Sequence, residues 1–381
     1  MAHSNTILSQ VLKLIPRHEF RKLAEEHDGR RRSDAMTRWT QFVAMSTAQL
    51  TGRTSLRDIE STLGSQRHLR YHTGGGEVTR SSLSRANQTL SYNFYESLFS
   101  KLYKRCQFAS PSHPFRFKNK LFSLDSSLLE VSLKVFPQAD YNRLKAAYKL
   151  HLGLDHDGLI PAFATITSGK TGDQTHAKRM SFPRGSVVVF DRGYNDYSWH
   201  KQLTLQGIFW VTRIRGNAQY RVLERRDIDK AQGITSDQII EYTAKRSREN
   251  NLHPLRRVGY RDPDSGKHYV FITNHFQWSA KTIAGIYKQR WQVELFFKWI
   301  KQNLKIKAFV GNTENAVMTQ VMIALCTYLT IAFLKFQAKI GHSLQQICRL
   351  IHVNLFAKRE LMGLFRAPPE PYENSYQQVL I

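Results

Sequence analysis

The sequence predicts a mixed α/β protein with a helical N-terminal segment. Three observations support this fold class: apolar residues recur at helical spacing up to about residue 110, short β-branched runs follow from residue 121, and a long helical pattern starts at residue 280. At 381 residues, the chain is longer than one average domain. A hydrophobic content of 41% is enough for a buried core, and it excludes a disordered chain.

The first part of the chain carries several helix signals. Helical composition and spacing recur at residues 18–27, 37–49 and 81–103. Ser55 is placed to cap a further helix, and three glycines at 74–76 interrupt the pattern. Prolines and basic residues over 111–120 are typical of a linker. We therefore expect residues 1–115 to form a helical, DNA-binding N-terminal domain.

From residue 121 the apolar period changes to that of strands. Strand patterns lie at residues 121–129, 144–154, 159–167, 186–190 and 208–213, and a helix is expected at 198–206. Residues 116–213 are thus expected to form a mixed sheet flanked by helices. Short β-like pieces among charged, Pro and Gly turns predict an inserted β-rich subdomain over 214–276. The core should resume over 277–340 and be followed by a helical tail at 341–381.

The net charge is +26, from 56 basic and 30 acidic residues. Such an excess favours a polyanionic partner, and nucleic acid is the first candidate. Basic residues of the N-terminal segment, among them Arg30, Arg31 and Arg32, are candidates for phosphate contacts, although a solvated basic face has the same composition. The imbalance is strongest over residues 277–312, where seven basic residues surround one acid, Glu294.

Cysteine usage and hydropathy bear on the location of the protein. Cys106, Cys326 and Cys348 show neither CxxC nor zinc spacing and suit a reducing compartment. The first residues lack the pattern of a secretory signal. The apolar stretch 317–336 is nearly long enough to cross a bilayer, but polar residues interrupt it, so we expect a buried helix and no membrane contact. A cytoplasmic location is therefore expected.

Two aspartates lie where an α/β sheet commonly places a cleft. Asp191 directly follows the buried run 186–190 and precedes Arg192 and a glycine, which predicts a position at the carboxyl tip of a strand. Asp125 lies within the first strand pattern of the mixed sheet. Each aspartate could equally be an ordinary strand-end residue when considered alone.

Other acids nearby favour a structural interpretation. Asp155 and Asp157 flank a histidine before a glycine, which is typical of a hairpin turn between two strands. Asp173, with His176 close by, could assist a metal or cap a helix. We prefer the structural interpretation for all three aspartates.

The helix expected over 280–303 has an unusual polar face. Tyr287, Arg290, Glu294 and Lys301 are separated by three, four and seven residues, a spacing that puts all four on one side of a helix. A neighbouring apolar stripe should pack on the sheet. Glu294 could simply form an ion pair with Arg290, four residues before it. Alternatively, this face and the two aspartates form one site.

Three carboxylates in one site repel one another unless a cation joins them. Mg²⁺ is held by few carboxylates together with phosphate and water. Two such ions, about 3.5–4 Å apart, can activate the attacking oxygen and stabilise the leaving oxygen of a phosphodiester. Arg290 and Lys301 would then contact the phosphates that flank the reaction centre.

These residues carry a resemblance to a known family. The DRGY motif at Asp191–Tyr194, the spacing Y-x2-R-x3-E-x6-K from Tyr287 to Lys301, and the strand position of Asp125 resemble DDE transposases of bacterial insertion sequences, in the insertion-sequence-four family. The segment from Asn5 to about Leu63 also resembles the helical leader of one branch of that family. The resemblance covers nearly the whole chain.

The resemblance implies both a fold and a function. It implies an RNase H-like core interrupted by a mostly β insertion between Asp191 and Glu294, with Asp125, Asp191 and Glu294 as catalytic metal ligands. Two Mg²⁺ ions, replaceable by Mn²⁺, would serve cleavage of the element's ends and joining of the 3′ hydroxyls to target DNA. The implied partners are the terminal inverted repeats, target DNA and a second copy of the chain in a homodimer. DNA contacts are expected from Arg192, Tyr287, Arg290, Lys298 and Lys301.

The resemblance also suggests a role for aromatic residues. Relatives in this family use an aromatic side chain to hold a flipped base, and Trp210 and Trp278, which flank the expected insertion, are candidates. Core packing is the alternative for both tryptophans. Two other functions remain open: an RNase H-like nuclease without strand transfer, and a non-catalytic, domesticated DNA-binding protein.

Overall fold

The computed structural model describes residues 5–29, 36–131, 146–168, 175, 177–178, 180–249, 254–304, 306, 309–311 and 313–366. Arg30, Arg31, Arg32, Asp173 and His176, which the sequence singled out, lie outside these residues.

The described chain begins with helices and returns to helices after a sheet. The helices are α1 (Ile7–Leu12), α2 (Arg17–Asp28), α3 (Arg38–Thr51), α4 (Leu56–Ser65), α5 (Arg70–Thr73), α6 (Arg80–Thr89), α7 (Asn93–Ala109), α8 (Tyr197–Leu205), α9 (Lys245–Glu249), α10 (Ala280–Gln289), α11 (Trp291–Asn303), α12 (Glu314–Gln337) and α13 (Leu344–Asn354). Short 3₁₀ helices lie at Arg67–Leu69, Arg192–Tyr194, Lys230–Gln232 and Met362–Leu364.

One sheet of nine described strands forms the centre of the molecule. The strands are β1 (Leu121–Val131), β2 (Ala146–Asp155), β3 (Ile160–Ser168), β4 (Val187–Phe190), β5 (Phe209–Arg213), β6 (Tyr220–Arg225), β7 (Ile234–Tyr242), β8 (Leu255–Arg261) and β9 (His268–Thr273). Their order is β3-β2-β1-β4-β5-β9-β8-β7-β6. Strands β1, β4 and β5 are parallel, whereas the other pairs are antiparallel.

Side-chain caps explain where the N-terminal helices begin. Thr37 accepts a hydrogen bond from the amide of Thr40 at the start of α3, and Ser55 accepts one from Asp58 at the start of α4. Helix α3 ends at Gly52, whose left-handed conformation suits a residue without a side chain. The N-terminal helices therefore begin and end where local chemistry satisfies their free backbone groups.

Helix α12 is the apolar stretch that the sequence singled out. It packs against α3, α7 and β3. Among the described residues it is the one helix long and apolar enough to cross a membrane, and 94% of its most apolar window is buried inside the protein. The expectation of a buried helix is therefore confirmed. One hydrophobic core continues from the N-terminal helices through α12 to strands β1–β3.

The chain before α12 and the chain after it also meet directly. The amides of Ile7 and Leu8 donate to the carbonyls of Ala357 and Leu355, at 3.1 and 2.8 Å. The side-chain amide of Gln10 donates to the carbonyl of Arg359 at 2.6 Å. Helix α1 is therefore held by backbone that follows α13.

Two helices cover opposite faces of the parallel strands. Side chains that alternate along β4 point in turn to the two sides: Val188 and Phe190 pack with α8, while Val187 and Val189 pack with α10. Strand β4 therefore lies between α8 and α10.

The structure differs from the sequence predictions at two places. Strands β6 to β9 extend the same sheet through the β5–β9 pair, and the sequence did not indicate β7 or β8. The helix expected over 280–303 is divided into α10 and α11 at Arg290, where tighter bonds from Arg290 to Tyr287 and from Val293 to Arg290 replace the α-helical pattern. The division of the chain into five segments stays a prediction.

Candidate active site

Asp125 and Asp191 lie next to each other where the parallel pairing of β1 with β4 ends. Leu124 of β1 is aligned with Phe190 of β4, so the residue after each is an aspartate. By strand alternation, Asp125 shares the face of Leu121 and Asp191 shares the face of Val189, and both of these residues pack with α10. The two carboxylates thus share one face of the sheet.

The surroundings of Asp125 disfavour its ionised form. Its Oδ1 accepts a hydrogen bond of 2.8 Å from the amide of Ser126, which favours the carboxylate. Burial nevertheless raises the pKa of Asp125 to about 6, and the nearby charges of Glu294 and Asp191 contribute to the increase. Glu294 and Asp191 therefore both lie close enough to Asp125 to act on its charge.

Tyr287, on α10, reaches the second aspartate. Its hydroxyl donates a hydrogen bond of 3.2 Å to Oδ1 of Asp191. Burial raises the pKa of Tyr287 to about 12, and the charge of Asp191 adds to the effect. The tyrosine is therefore a fixed donor that orients the carboxylate.

Glu294, on α11, is held by an arginine that lies one helical turn before it. The guanidinium of Arg290 donates to Oε1 of Glu294 at 2.6 Å. The side chain of Arg290 is 13% exposed and that of Glu294 is 31% exposed, so the pair lies at the border of the interior. The ion pair considered from the sequence is present, and Arg290 also lies close enough to Asp125 to lower the pKa of that carboxyl.

Lys301 contacts protein in the structure. Its ammonium donates to Oγ of Ser127 at 2.5 Å and to the carbonyl of Leu128 at 3.2 Å, both in β1. The lysine therefore fastens the end of α11 to the strand that carries Asp125.

Other basic residues expected to contact DNA lie on the surface. Arg192 is exposed in the short helix after Asp191, and Lys298 is exposed on α11. Both flank the carboxylates along the chain.

The two tryptophans proposed for base stacking do not offer a free ring. Trp210 is fully buried and stacks on His200 with ring centroids 4.3 Å apart. Trp278 stacks on His275 at 3.7 Å and on Phe117 at 4.3 Å. Ring contacts within the protein occupy both side chains, and base stacking by either stays a prediction.

A third tryptophan, which the sequence analysis missed, is open to solvent. Trp291 begins α11 and is 54% exposed, three residues before Glu294. Leu295 lies one turn further on the same exposed side and is 43% exposed. The sequence feature that could have identified Trp291 is a large aromatic residue on the polar side of the helix that carries Glu294.

The rival acids have structural partners, in line with the interpretation preferred from the sequence. Asp155 is fully buried and accepts from the hydroxyl of Tyr103 at 2.7 Å. Asp157 accepts from the ammonium of Lys120 at 2.5 Å and from the amide of His113 at 2.8 Å. Both aspartates join the sheet to the chain before β1.

The carboxylates at this site differ in how well they fit a divalent cation. In the described part of the chain, no three His, Cys, Asp or Glu side chains converge as a ready metal cage. Asp125 and Asp191 present adjacent carboxylates, which are the hard oxygen ligands that Mg²⁺ prefers. Glu294 is engaged by Arg290. The two aspartates therefore fit a cation, whereas Glu294 would have to leave Arg290 to bind it.

Comparisons with known proteins define the class. The family model for the transposase DDE domain matches residues 116–330, more than half of the sequence. The chain therefore belongs to the transposases with a DDE domain, and the resemblance read from the signature residues is confirmed. A second model, described as a domain of unknown function, matches residues 3–75.

Individual relatives carry transposase names. A protein of Sinorhizobium fredii described as a transposase is 32% identical over 58% of this chain and 63% of its own length, so the match leaves over a third of that relative uncovered. A protein of Geobacillus stearothermophilus, described as a transposase for an insertion sequence element, is 28% identical over 68% of each chain. One from Synechocystis, similarly described, is 22% identical over 76% of this chain and 81% of its own.

A solved structure is also similar. It is a cryo-EM structure of a piggyBac transposase synaptic complex with hairpin DNA, with a TM-score of 0.46 and 12% identity, covering 94% of this chain and 82% of that one.

Proposed function

We propose that this chain is a DNA transposase that cleaves the ends of an insertion sequence and joins the freed 3′ hydroxyls to target DNA. The single observation that carries the proposal is the adjacency of Asp125 and Asp191 on parallel strands, with Glu294 close enough to affect the pKa of Asp125. Membership in the DDE transposase family supports the same reaction.

The carboxylates and their partners have distinct roles in this proposal. Asp125 and Asp191 hold the reaction centre, and Tyr287 fixes the orientation of Asp191 through its hydroxyl. Arg290 restrains Glu294 in the free protein and turns to a DNA phosphate when the carboxylate is drawn into the site. Lys301 keeps α11 aligned on β1. In each step one oxygen forms a bond to phosphorus as another leaves.

The metal in this proposal is Mg²⁺, with Mn²⁺ as a substitute. Asp125, Asp191 and Glu294 would hold it, in a site for two ions. A bound divalent cation lowers the pKa of an attacking water or hydroxyl and neutralises charge on the phosphate. The raised pKa of Asp125 fits this function, because a carboxylate that is costly to ionise alone gains most from a cation.

The DNA path would follow the exposed side of α11. Trp291 offers an open ring three residues before Glu294, and base stacking on such a ring is sequence-tolerant. Arg192 and Lys298 are exposed on either side of the carboxylates and would contact phosphates. We propose these residues in place of Trp210 and Trp278.

The domain plan follows from the same proposal. Strand order β3-β2-β1-β4-β5 supports an RNase H-like core, formed by residues 116–213 and 277–340, with 214–276 as the insertion that extends its sheet. Residues 1–115 would bind terminal inverted repeats, and 341–381 would form the tail. The active form would be a homodimer on DNA, in the bacterial cytoplasm at the nucleoid.

The test uses the purified full chain, Mg²⁺ and a linear duplex bearing the ends of its element. We expect cleavage at the ends and joined products with an added plasmid. Glu294→Gln should bind the duplex but lose cleavage by at least 100-fold, whereas the matched control Glu224→Gln, an exposed acid of β6, should be unaffected. Normal cleavage by Glu294→Gln contradicts the site assignment.

The same assay separates the other functions. Cleavage without joined products would indicate a nuclease without strand transfer. Binding without cleavage, in Mg²⁺ and in Mn²⁺, would indicate a DNA-binding protein that has lost catalysis.

A further inference from the structure

A short turn leads from β9 into α10, the helix that carries Tyr287. We call residues 275–278 the α10 turn, and the side chain of Ser279 caps the helix that follows it. Within the turn, the amide of Trp278 donates to Nδ1 of His275 at 3.2 Å. Burial, together with the charge of Arg256, lowers the pKa of His275 to about 4, so the imidazole is neutral at physiological pH and can accept this bond.

Two arginines from neighbouring strands hold the α10 turn. Nη1 of Arg256, in β8, donates to the carbonyls of Phe276 and Trp278 at 3.2 and 2.5 Å. Nη1 of Arg226, which directly follows β6, donates to the same carbonyl of Phe276 at 2.7 Å. Both acceptors lie just before Ser279, where α10 begins. The segment that we propose as the insertion is thereby attached to the start of this helix.

A buried aspartate fixes the guanidinium of Arg256. Nε and Nη2 of Arg256 donate to the two carboxylate oxygens of Asp237, in β7, at 2.9 and 2.6 Å. The two side chains are 3% and 6% exposed. A buried ion pair contributes little net stability, because the cost of removing both charges from water offsets their attraction. This pair nevertheless determines where the third nitrogen of Arg256 points, and that nitrogen holds the α10 turn.

Helix α10 connects the α10 turn to the carboxylates. The helix packs against β7 and β8 as well as against β4 and β5. Tyr287 lies about 12 Å along the helix from Ser279, at about 1.5 Å per residue. Because a helix is a stiff element, a displacement at its start is transmitted to Tyr287.

The contact that α10 makes with the site tolerates little displacement. The hydroxyl of Tyr287 lies 3.2 Å from Oδ1 of Asp191. This distance already exceeds the usual length of an O–H···O hydrogen bond, about 2.7–2.8 Å, and at about 3.6 Å the bond is lost. A shift of α10 by about 0.5 Å is therefore enough to release Asp191 from its donor.

We propose that Arg256, held by Asp237, is a positioning residue for the reaction: by fixing the α10 turn, it keeps Tyr287 within hydrogen-bond distance of Asp191. The inference rests on the proposed transposase function. It gives strands β7 and β8 a part in catalysis that needs no contact with DNA, because the buried Arg256 acts through α10.

The test measures whether Arg256 and Tyr287 affect cleavage through the same contact. Arg256→Lys keeps the charge, but one ammonium does not reproduce the planar fork that reaches Asp237 and both carbonyls. We expect the single-turnover cleavage rate at saturating DNA to fall by roughly 5- to 50-fold. In the background of Tyr287→Phe, which lacks the hydroxyl, the same substitution should lower the rate by less than about twofold. An unchanged rate in Arg256→Lys, or effects of the two substitutions that multiply, overturns the inference.

The matched control is Arg38→Lys, in the N-terminal helices. Arg38 makes the same set of contacts as Arg256: Nε and Nη2 donate to the carboxylate of Asp28 at 2.7 and 2.8 Å, and Nη1 donates to the carbonyl of Ser91 at 2.9 Å. Arg38→Lys should cleave within about twofold of the wild type, and any loss should multiply with that of Tyr287→Phe. An equal loss in this control would mean that general destabilisation slows cleavage, and would overturn the inference.

A second variant decides the matter if Arg256→Lys does not fold. Arg226→Gln removes only the other donor to the carbonyl of Phe276, and the side chain of Arg226 is 30% exposed, so the fold should persist. We expect its cleavage rate to fall by roughly two- to fivefold, and this loss should also vanish in the background of Tyr287→Phe. A wild-type rate, or a loss that persists without the Tyr287 hydroxyl, contradicts the proposal.

A spectroscopic readout does not depend on cleavage. The full chain is labelled with ring-fluorinated tyrosine, and the fluorine resonance of Tyr287 is the one that is missing from Tyr287→Phe. Its chemical shift should change in Arg256→Lys and stay the same in Arg38→Lys. An unchanged shift in Arg256→Lys overturns the inference. If the resonance moves as expected but the wild type cuts no DNA, positioning by Arg256 stands and the proposed function fails.

Discussion

The hydroxyl of Tyr287 donates to Oδ1 of Asp191 across 3.2 Å, so a residue of α10 fixes a carboxylate at the end of β4. Tyr287 is 9% exposed, and its ring packs on Phe271 with centroids 4.7 Å apart. The donor is therefore in place before any substrate arrives.

Tyr287→Phe should keep the fold and lose this single hydrogen bond. A bond to a charged acceptor contributes about 1.5–3 kcal/mol, so we expect the cleavage rate to fall by roughly 10- to 100-fold. Single-turnover cleavage at saturating DNA measures it. The control Lys288→Gln removes an exposed neighbour that contacts Asp264. Wild-type cleavage by Tyr287→Phe would show that the hydroxyl does not orient the aspartate.

Asp125→Asn should stabilise the metal-free protein in a pH-dependent way. The folded-state pKa is raised from 3.8 to about 6, so ionisation costs free energy in the folded state once the pH rises above 3.8. The cost grows up to about pH 6 and is then constant. We expect Asp125→Asn to increase the free energy of unfolding by about 3 kcal/mol at pH 8 and by almost nothing near pH 3.5.

The measurement is urea unfolding in EDTA at several pH values. Adding Mg²⁺ should stabilise the wild type and not Asp125→Asn, because the variant lacks a carboxylate ligand. If the free energies of unfolding of the two proteins differ by the same amount at all pH values, packing and not charge causes the difference.

Trp291→Ala should weaken DNA binding without unfolding the protein. The ring is more than half exposed at the start of α11, and stacking on a base contributes about 1–3 kcal/mol. The affinity for an end duplex with unpaired bases near the cut should fall by roughly 5- to 100-fold. Trp291→Phe should recover much of it, whereas Phe108→Ala, which removes another exposed ring, should not change it. Equal affinities for all variants would exclude stacking by Trp291.

Gly153→Ala should destabilise the sheet because the new β-carbon would clash with one aromatic ring. Gly153 of β2 pairs with Phe163 of β3, and a β-carbon on Gly153 would lie 1.9 Å from the Cε2 of that ring. Displacing the ring should cost about 1–3 kcal/mol in the free energy of unfolding. In the background of Phe163→Ala the same substitution should cost almost nothing, since the ring is gone. Urea unfolding of the four proteins gives the coupling, and additive effects would contradict it.

A fragment of residues 1–110 should not fold cooperatively alone. All residues of α3 from Arg38 to Leu50 are buried, and their cover includes α12, which the fragment lacks. The exposed apolar area would outweigh the gain from the remaining contacts. Circular dichroism during heating should show no sharp transition, while the full chain melts cooperatively. A sharp transition in the fragment would show that the N-terminal helices form an independent domain.

The site was predictable to the extent that it depends on local spacing. The apolar patterns put Asp191 at the end of β4 and Asp125 within β1, and helical spacing grouped Tyr287 with Arg290 and Glu294. What each side chain touches depends on distant chain segments, however. Lys301 meets Ser127 instead of standing free, because α11 packs along β1.

The fold shows the same limit. Strand patterns of β1 to β5 were visible, but β7 and β8 were not, since strand stability depends on cross-strand pairing more than on the residues of a single strand. From the sequence, Trp278 is expected to be an accessible aromatic residue near a turn. In the structure, Phe117, from the segment before β1, covers it. Burial of an aromatic ring is a property of the assembled core, so periodicity alone cannot locate it.

The contact between α1 and the backbone after α13 has a consequence for synthesis on the ribosome. Ile7 and Leu8 emerge early, yet their hydrogen-bond acceptors, Ala357 and Leu355, emerge roughly 350 residues later. At about 5–20 residues per second, that interval is of the order of 20 to 70 s. Throughout most of translation, α1 of the nascent chain therefore lacks these hydrogen-bond acceptors. They become available only after the strands and helices of the carboxylate site have all been made.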